Sequence, residues 1–503
     1  MAAPLNELLG WFHSRGLRVN ALAIDSRRVN PGDVFLAYPG ESGDGRRHIG
    51  QAVERGAAAV LWDEGGYDWQ AGPVIPHRPV ANLRALAGVL AHEVYGRPSE
   101  SLWTVGVTGT NGKTSCSQWL AQASSLCGER TAVIGTLGSG FPGDPGEDAS
   151  AVLAPNLNTT PDPVTLHSSL AALLREGGQG VAMEVSSIGI DQGRVNGVAF
   201  GAALFTNLSR DHLDYHGDME SYARAKQRLF LLPGLRHAVL NLDDVQGVQI
   251  ARQLSGSGVN RVGYSCAQGV AAHAGLECFV QAHAIRTSPQ GTEFSIASSW
   301  GEARLRSVLL GRFNVSNLAG VLGTMLASGV PFERAVAALA RMQPVTGRMQ
   351  RLGGGERPLV IVDYAHSPDG LEQTLGALKE VAQAQGGRLA LVFGCGGERD
   401  RGKRSIMGTV AARHADRIII TSDNPRGEDP AAIIAEIASG IDAAHERITD
   451  RREAIAHAVR EAARPDVVLL AGKGHETYQE IGGRRIEFSD LAEARRALDG
   501  WGA

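Results

Sequence analysis

Apolar residues recur along this chain in short, largely unbroken runs, at 34–37, 57–62, 103–107, 131–134, 180–185, 202–207, 359–362, 389–393, 417–421 and 467–470. Runs of this length without polar alternation suit strands covered on both faces of a sheet. Between them, at 113–127, 163–175, 370–384 and 430–438, the apolar spacing is that of helices. Strand and helix therefore alternate, which predicts parallel sheets with ligands at the carboxyl ends of their strands. A chain of 503 residues also exceeds one ordinary core. Breaks in the pattern divide it at 1–98, 99–344 and 345–503. The first unit opens on a helical segment with Leu5, Leu8, Leu9 and Phe12, and closes with a helix at 83–95 stopped by Gly96, Arg97 and Pro98. A more polar stretch, 255–310, reads as short antiparallel strands appended to the central unit.

Composition narrows the class. Hydrophobic residues make up 43%, charged residues 20%, and the net charge is −4. That describes a soluble globular chain without the basic field that binds nucleic acid. Five cysteines, none in a C-x-x-C pair, read as buried free thiols in a reducing cytosol rather than disulfides or a zinc site. No apolar stretch approaches the ~18 residues of a membrane span, and no basic-then-apolar leader opens the chain. The expectation is a cytoplasmic monomer that acts on small molecules, with neither nucleic acid nor membrane as partner.

The candidate chemistry begins where the run at 103–107 breaks into Thr108, Gly109, Thr110, Asn111, Gly112, Lys113 and Thr114 before a helix. Strand, glycine-rich turn and helix present backbone N–H groups to a phosphate; Lys113 adds a positive charge and Thr114 a hydroxyl for Mg²⁺. The full P-loop pattern would need glycine where Val107 stands, so a strand–helix turn with incidental Lys and Thr is the alternative. Glu184 ends the run Val181, Ala182, Met183, a place from which an acid can hold Mg²⁺ or merely face solvent. Just past the run at 202–207, Asp211, His212, Asp214, His216 and Asp218 resemble a cation site or a polar loop with scattered acids. Lys226 lies in a helical stretch at 221–230, and as an ammonium it is no metal ligand. Asn314 opens a helix and suits an N-cap. Arg348 at the domain junction and Asp363 at a strand end add polar groups to the presumed domain interface. In the third unit Arg399, Asp423, Asn424, Pro425, Arg426, Gly472 and Glu476 all follow strands. Arginine suits a carboxylate and Glu476 an ammonium, a pairing that suggests an amino-acid substrate.

Taken together, these motifs resemble the Mur ligase family. Residues 108–114 are similar to its ATP loop, 183–187 to its acidic strand end and 211–218 to its histidine loop; 313–317, 347–349 and 363–368 complete the set. The resemblance spans all three units. It implies a small α/β N-terminal domain, a central P-loop-type parallel-sheet ATPase domain and a C-terminal Rossmann-like doubly wound domain. It implies ATP and Mg²⁺, with Thr114, Glu184, His212 and a carbamylated Lys226 at the metal, and Asn314, Arg348 and Asp363 joining the loop around ATP. Residues 423–426 resemble the signature of the diaminopimelate-adding branch. The implied reaction joins meso-diaminopimelate to the D-glutamyl carboxylate of UDP-N-acetylmuramoyl-L-alanyl-D-glutamate through an acyl phosphate. Ile24, Ser26, Glu41, Ser42, Gly43, Asn158, Thr159, Thr160, Ser186, Gln192 and Arg194 would then hold the nucleotide-sugar dipeptide. Arg399, Asp423, Asn424, Pro425, Arg426, Gly472 and Glu476 would hold the amino acid. The family often carries histidine after its paired serines; Ile188 stands there, so that position has no catalytic part. The alternatives are a lysine-adding or folylpolyglutamate-type ligase of the same architecture, or a nucleotide-dependent switch or motor ATPase.

Overall fold

The computed structural model describes residues 2–41, 43–69, 74–148, 152–267 and 275–502. Among the described residues three large sheets and one two-stranded hairpin carry the chain. The first has four parallel strands in the order Leu22–Ala23, Val34–Ala37, Ala59–Asp63 and His77–Val80. Helices Ala2–Ser14 and Leu83–Val94 cover one face, where Leu8, Phe12, Leu86 and Leu90 meet Leu36 and Leu61.

The central sheet has ten strands. From one edge they run Gly301–Ser307, Gly291–Ser298, Cys278–Ser288, Asn260–Ser265, His237–Asn241, Ala202–Phe205, Trp103–Thr108, Gly180–Glu184, Thr131–Gly135 and Gly138–Gly140. The strand of the glycine-rich loop lies in the middle, parallel to both neighbours. Helices Lys113–Leu126 and Arg312–Ala327 bury Trp119, Leu120, Leu318 and Leu322 on one face. Helix Pro163–Arg175 buries Leu166, Leu170 and Leu173 on the other.

The polar stretch at 255–310 corrects the sequence reading. Its strands are not an appendix: Asn260–Ser265 and Cys278–Ser288 continue the parallel sheet, and only Gly291–Ser298 and Gly301–Ser307 are antiparallel. Alternation explains the difference. Phe294, Ile296 and Leu305 point into the same core as Val262 and Val280, while polar neighbours take the outer face.

The third sheet orders Gln350–Gly353, Leu359–Asp363, Val467–Ala471, Leu389–Phe393, Arg417–Ile420 and Glu446–Arg447, all parallel except the first. The chain leaves Leu359–Asp363, passes over the place later filled by Val467–Ala471, and continues at Leu389–Phe393. The order reverses only when the chain returns from Glu446–Arg447 to Val467–Ala471 in the middle of the sheet, and such a reversal opens a crevice at the carboxyl ends. A hairpin, Tyr478–Ile481 with Arg484–Glu487, closes over that edge.

One smaller expectation also changes. Cys127 and Cys278 are half-buried, whereas Cys116, Cys266 and Cys395 are buried; all five are free thiols. Among the described residues no helix is long and apolar enough to cross a membrane.

One buried group makes the junction of the first two units sensitive to acid. His167 is fully buried, with Nε2 2.9 Å from the Asn196 carbonyl and its ring 5.3 Å from that of His92. Burial pushes its imidazole down to about 4 from an ordinary 6.5. Between those values the unfolded chain binds the extra proton, so stability present above pH 6.5 is lost as pH falls toward 4. The loss amounts to about 3 kcal/mol when complete. Thermal unfolding should therefore come at lower temperature at pH 5 than at pH 7, and His167→Phe should shrink that difference; an unchanged difference would exclude His167 as its source.

Candidate active site

Four strand ends of the central sheet converge beneath the glycine-rich loop. Gly109 has φ +150°, and a Cβ there would lie 1.9 Å from Thr206 Oγ1. Gly112 has φ +86°, caps helix Lys113–Leu126, and would place a Cβ 2.6 Å from Asn317 Oδ1. Both positions need glycine for conformation and for space. The neighbouring strand end steadies the loop: Thr206 Oγ1 donates to the Asn111 carbonyl at 2.6 Å, and Asn207 Oδ1 accepts from Asn111 N at 2.9 Å. Thr108 is buried at the strand end below it, and Thr110 Oγ1 accepts from Ser209 N at 3.0 Å.

The charged groups meet around this loop. Lys113 Nζ donates to the carbonyls of Gly109 and Thr110, both at 2.9 Å. Lys226 Nζ donates to the same Gly109 carbonyl at 2.8 Å and lies 4.3 Å from the Tyr222 ring centroid. Burial, aided by the Lys113 charge, pushes Lys226 far below the usual lysine range. Glu184 is buried at its strand end. Its carboxylate accepts from Thr114 Oγ1 at 2.9 Å, Thr136 N at 2.7 Å and Thr136 Oγ1 at 3.2 Å. Arg348 Nη2 donates to Thr114 Oγ1 at 3.2 Å and its guanidinium lies over Tyr364. His212 sits at φ +54°, and burial pushes its imidazole down to about 4, against the pull of Asp211. A neutral imidazole is the form that ligates metal. Burial raises Asp211, but the hydrogen bond and charge of His366 more than offset this and hold its carboxyl well below the usual range.

Thr110, Asn111, Gly112, Lys113, Thr114, Thr136, Glu184, Asp211, His212, Asn314, Arg348 and Asp363 line one cavity of about 490 Å³ between the second and third sheets. The third unit reaches it through three contacts: Arg348 on Thr114, Asp369 Oδ2 accepting from Asn111 Nδ2 at 3.0 Å, and His366 Nε2 3.4 Å from Asp211 Oδ2. Asp363 is buried and accepts from Met349 N at 2.7 Å, which fixes the turn that presents Arg348. Asn314 Nδ2 donates back to the Leu310 carbonyl at 2.9 Å. Of the expected metal set, Thr114, Glu184 and His212 line the cavity, whereas Lys226 is buried behind the loop. Among the described residues no group of three or more His, Cys, Asp and Glu side chains is placed to hold a metal. An ion here would complete its shell from phosphate and water, the usual habit of Mg²⁺.

The groups expected at the nucleotide-sugar form a second surface. Thr159 and Thr160 touch the Glu184 cluster: Thr159 Oγ1 lies 3.1 Å from Thr136 Oγ1, and Thr160 Oγ1 donates to the Glu184 carbonyl at 2.9 Å. Ser186 caps a short helix by accepting from Gly189 N at 3.0 Å. Arg194 donates to Thr160 O at 2.8 Å and Gln192 Oε1 at 2.7 Å, and Gln192 donates to Glu41. Glu41 thus links the first unit to the central one and also accepts from Tyr215 at 3.0 Å. Ser26 Oγ donates to Gln51 at 2.6 Å, Ile24 is half-buried beside it, and Gly43 and Asn158 are exposed. Ser42 lies outside the described residues.

The amino-acid group lies apart from the cavity, on the same edge of the third sheet. Asn424 Nδ2 donates to Glu476 Oε2 at 2.8 Å, and Gly472 has room for no Cβ because Asp423 Oδ2 would stand 2.5 Å away. Arg426 adopts φ +52° and donates through Nη1 to the Gly397 carbonyl at 2.6 Å. Arg399 is exposed at the rim, and the Pro425 carbonyl accepts from Glu428 N at 2.9 Å. Sequence reasoning missed Lys473. It is fully buried and donates at 2.9 Å to both Asn424 Oδ1 and Glu476 Oε2, 3.5 Å from Asp423. Thr136, Thr206 and Asn207 were missed as well; each follows a strand end beside the loop, and that placement is the signal that would have found them.

The family model described as Mur ligase family, catalytic domain, matches residues 18–95; Mur ligase middle domain matches 107–325, and Mur ligase, glutamate ligase domain, matches 347–474. A UDP-N-acetylmuramoyl-L-alanyl-D-glutamate--2,6-diaminopimelate ligase of Chromobacterium violaceum is 50% identical, covering 100% of this chain and 99% of its own. Its namesake from Pseudomonas aeruginosa is 49% identical, with coverage of 100% and 99%. A solved structure of a ligase of that name superposes with TM-score 0.66 at 36% identity, over 96% of this chain and 95% of its own. MurF ligase from Thermotoga maritima in complex with ADP shares the fold, at TM-score 0.62 and 16% identity over 96% and 98%. With all three units matched in order and relatives aligned from end to end, this chain belongs to the Mur ligase family.

Proposed function

We propose that the chain is an ATP-dependent ligase of peptidoglycan precursor synthesis that joins meso-diaminopimelate to the D-glutamyl carboxylate of UDP-N-acetylmuramoyl-L-alanyl-D-glutamate. One observation carries the reading: end-to-end identity of 50% with a ligase of that name. The paired groups at the third sheet, a guanidinium at Arg426 and a carboxylate at Glu476, fit an amino acid with an additional carboxylate. The reading divides the chain at 98/99 and 344/345, with nucleotide-sugar, ATP and amino acid assigned to successive units. It places a monomer in the cytoplasm.

A carboxylate is a poor electrophile and needs activation. Its oxygen attacks the γ-phosphorus of ATP, ADP leaves, and an acyl phosphate forms. The amine of diaminopimelate attacks the acyl carbon, and the tetrahedral adduct collapses with loss of phosphate and a proton. Lys113, whose ammonium now rests on two loop carbonyls, would turn to the phosphoryl oxygens and offset their charge. Mg²⁺ fits the hard oxygen donors of Thr114 and Glu184, with the neutral His212 facing the same cavity; when bound, it supplies charge neutralisation at the phosphates. Burial, with the Lys113 charge, lowers the Lys226 amine and so favours its free form, the form that takes up CO₂ to become a carbamate. Arg348 and Asp369 tie the third unit to the loop, which brings the amine toward the acyl phosphate and excludes water.

The route has a label test. Substrate carrying ¹⁸O in the D-glutamyl carboxylate should deliver one labelled oxygen to each phosphate released, because the acyl–oxygen bond breaks. Unlabelled phosphate would rule out carboxylate attack on ATP.

A further inference from the structure

Two loops face each other at the amino-acid edge of the third sheet, one following Leu389–Phe393 and one following Arg417–Ile420. The first carries Arg399, the second Arg426. Each holds a non-glycine residue in the left-handed region, Glu398 at φ +55° and Arg426 at φ +52°. Such conformations persist only where their surroundings enforce them. For Arg426 the hairpin does so: its N donates to Glu480 O at 2.9 Å, and its carbonyl accepts from Gly482 N at 2.7 Å.

For Glu398 the restraint comes from Glu428, two residues beyond Arg426. One oxygen of that carboxylate accepts from the backbone N of Glu398 at 2.5 Å. The other accepts from Arg401 at 2.8 Å. Beneath it lies Arg404, with a side chain only 1% exposed. Its Nη2 donates to Glu428 Oε1 at 2.9 Å, its Nη1 to Glu428 Oε2 at 3.0 Å, and Nη2 also to the Gly396 carbonyl at 3.2 Å. Glu436, from helix Pro430–Ala438, takes a further bond from Nη1 at 2.8 Å. The hydrogen bonds of Arg404 hold the Glu428 carboxyl down to about 2, so the brace stays charged throughout the working pH range.

A two-pronged pair built on a buried guanidinium is a costly way to stabilise a surface loop. It is an effective way to fix the distance between two loops that must present guanidinium groups to one small ligand, since a ligand-binding side chain is only as well placed as the groups supporting it. We propose that Arg404 and Glu428 are positioning residues for the amino-acid substrate. They register the loop of Arg399 against the loop of Arg426 and so set the grip on the substrate's distal carboxylate, without touching it themselves. This rests on the diaminopimelate reading above.

The test uses the full-length enzyme and the variants Glu428→Gln, Arg404→Lys and, as a control, Glu436→Gln, which loses a contact to Arg404 but none to either loop. KM for meso-diaminopimelate should rise on the order of 10-fold or more in the first two. KM values for ATP and for the UDP-linked substrate should stay near wild type, and the preference for diaminopimelate over L-lysine should narrow. Glu436→Gln should leave all of these near wild type. A merely structural role would lower the unfolding temperature and the yield of active enzyme without separating one KM from the others. Unchanged diaminopimelate KM in either folded variant would overturn the brace while leaving the reaction intact. Wild-type enzyme that shows no diaminopimelate-dependent turnover would overturn the reading on which the brace rests.

Discussion

Lys113→Ala should abolish measurable ligation, with a loss in kcat of ~10³-fold or more, the scale seen when a donor aimed at developing charge is removed. The expectation follows from geometry. Lys113 Nζ lies inside the curl of the loop, on the carbonyls of Gly109 and Thr110, where a phosphate held by the loop's N–H groups would arrive. Lys226 reaches the same Gly109 carbonyl but from the buried side, and does not line the cavity, so it cannot substitute. The fold should survive, because helix Lys113–Leu126 is held by Cys116, Trp119 and Leu120 in the core rather than by its first residue. Steady-state phosphate release, with circular dichroism as the folding control, decides the matter. Near wild-type rates in a folded variant would remove Lys113 from the chemistry.

Arg426→Lys should cost about 10²-fold in kcat/KM for meso-diaminopimelate, near 3 kcal/mol, while turnover of L-lysine changes far less. The side chain is fixed before substrate arrives: Nη1 bonds the Gly397 carbonyl at 2.6 Å, and Nε stands 3.6 Å from Glu480. Lysine keeps the charge but loses the fork that takes both oxygens of a carboxylate. Losses of equal size for both amino acids would show that Arg426 supports the loop but does not discriminate between them.

Legibility in the sequence followed burial. Trp103–Thr108, Gly180–Glu184 and Leu389–Phe393 stood out because a strand covered on both faces is apolar along most of its length. Gly291–Ser298 and Gly301–Ser307 carry polar residues on an outer face, and their membership in the central sheet depends on pairings that local pattern does not encode. His237–Asn241 was missed although it is mostly buried, since its run is short and opens on a histidine.

The candidate site divides in the same way. Glycines, Lys113 and Glu184 were legible because their chemistry needs a strand end and a turn, both visible locally. Thr136 and Lys473 were not. Thr136 acquires its role from Glu184, 48 positions away, and Lys473 from Asn424, 49 positions away. Lys226 was legible through resemblance alone, because a lysine in a helix carries no sign that its amine will be buried against a loop carbonyl.

The central claim is tested most directly by phosphate release from ATP in the presence of Mg²⁺ and UDP-N-acetylmuramoyl-L-alanyl-D-glutamate, with meso-diaminopimelate or L-lysine added in turn. The account predicts release that requires diaminopimelate. Release driven equally by lysine, or proceeding with neither amino acid, would contradict it.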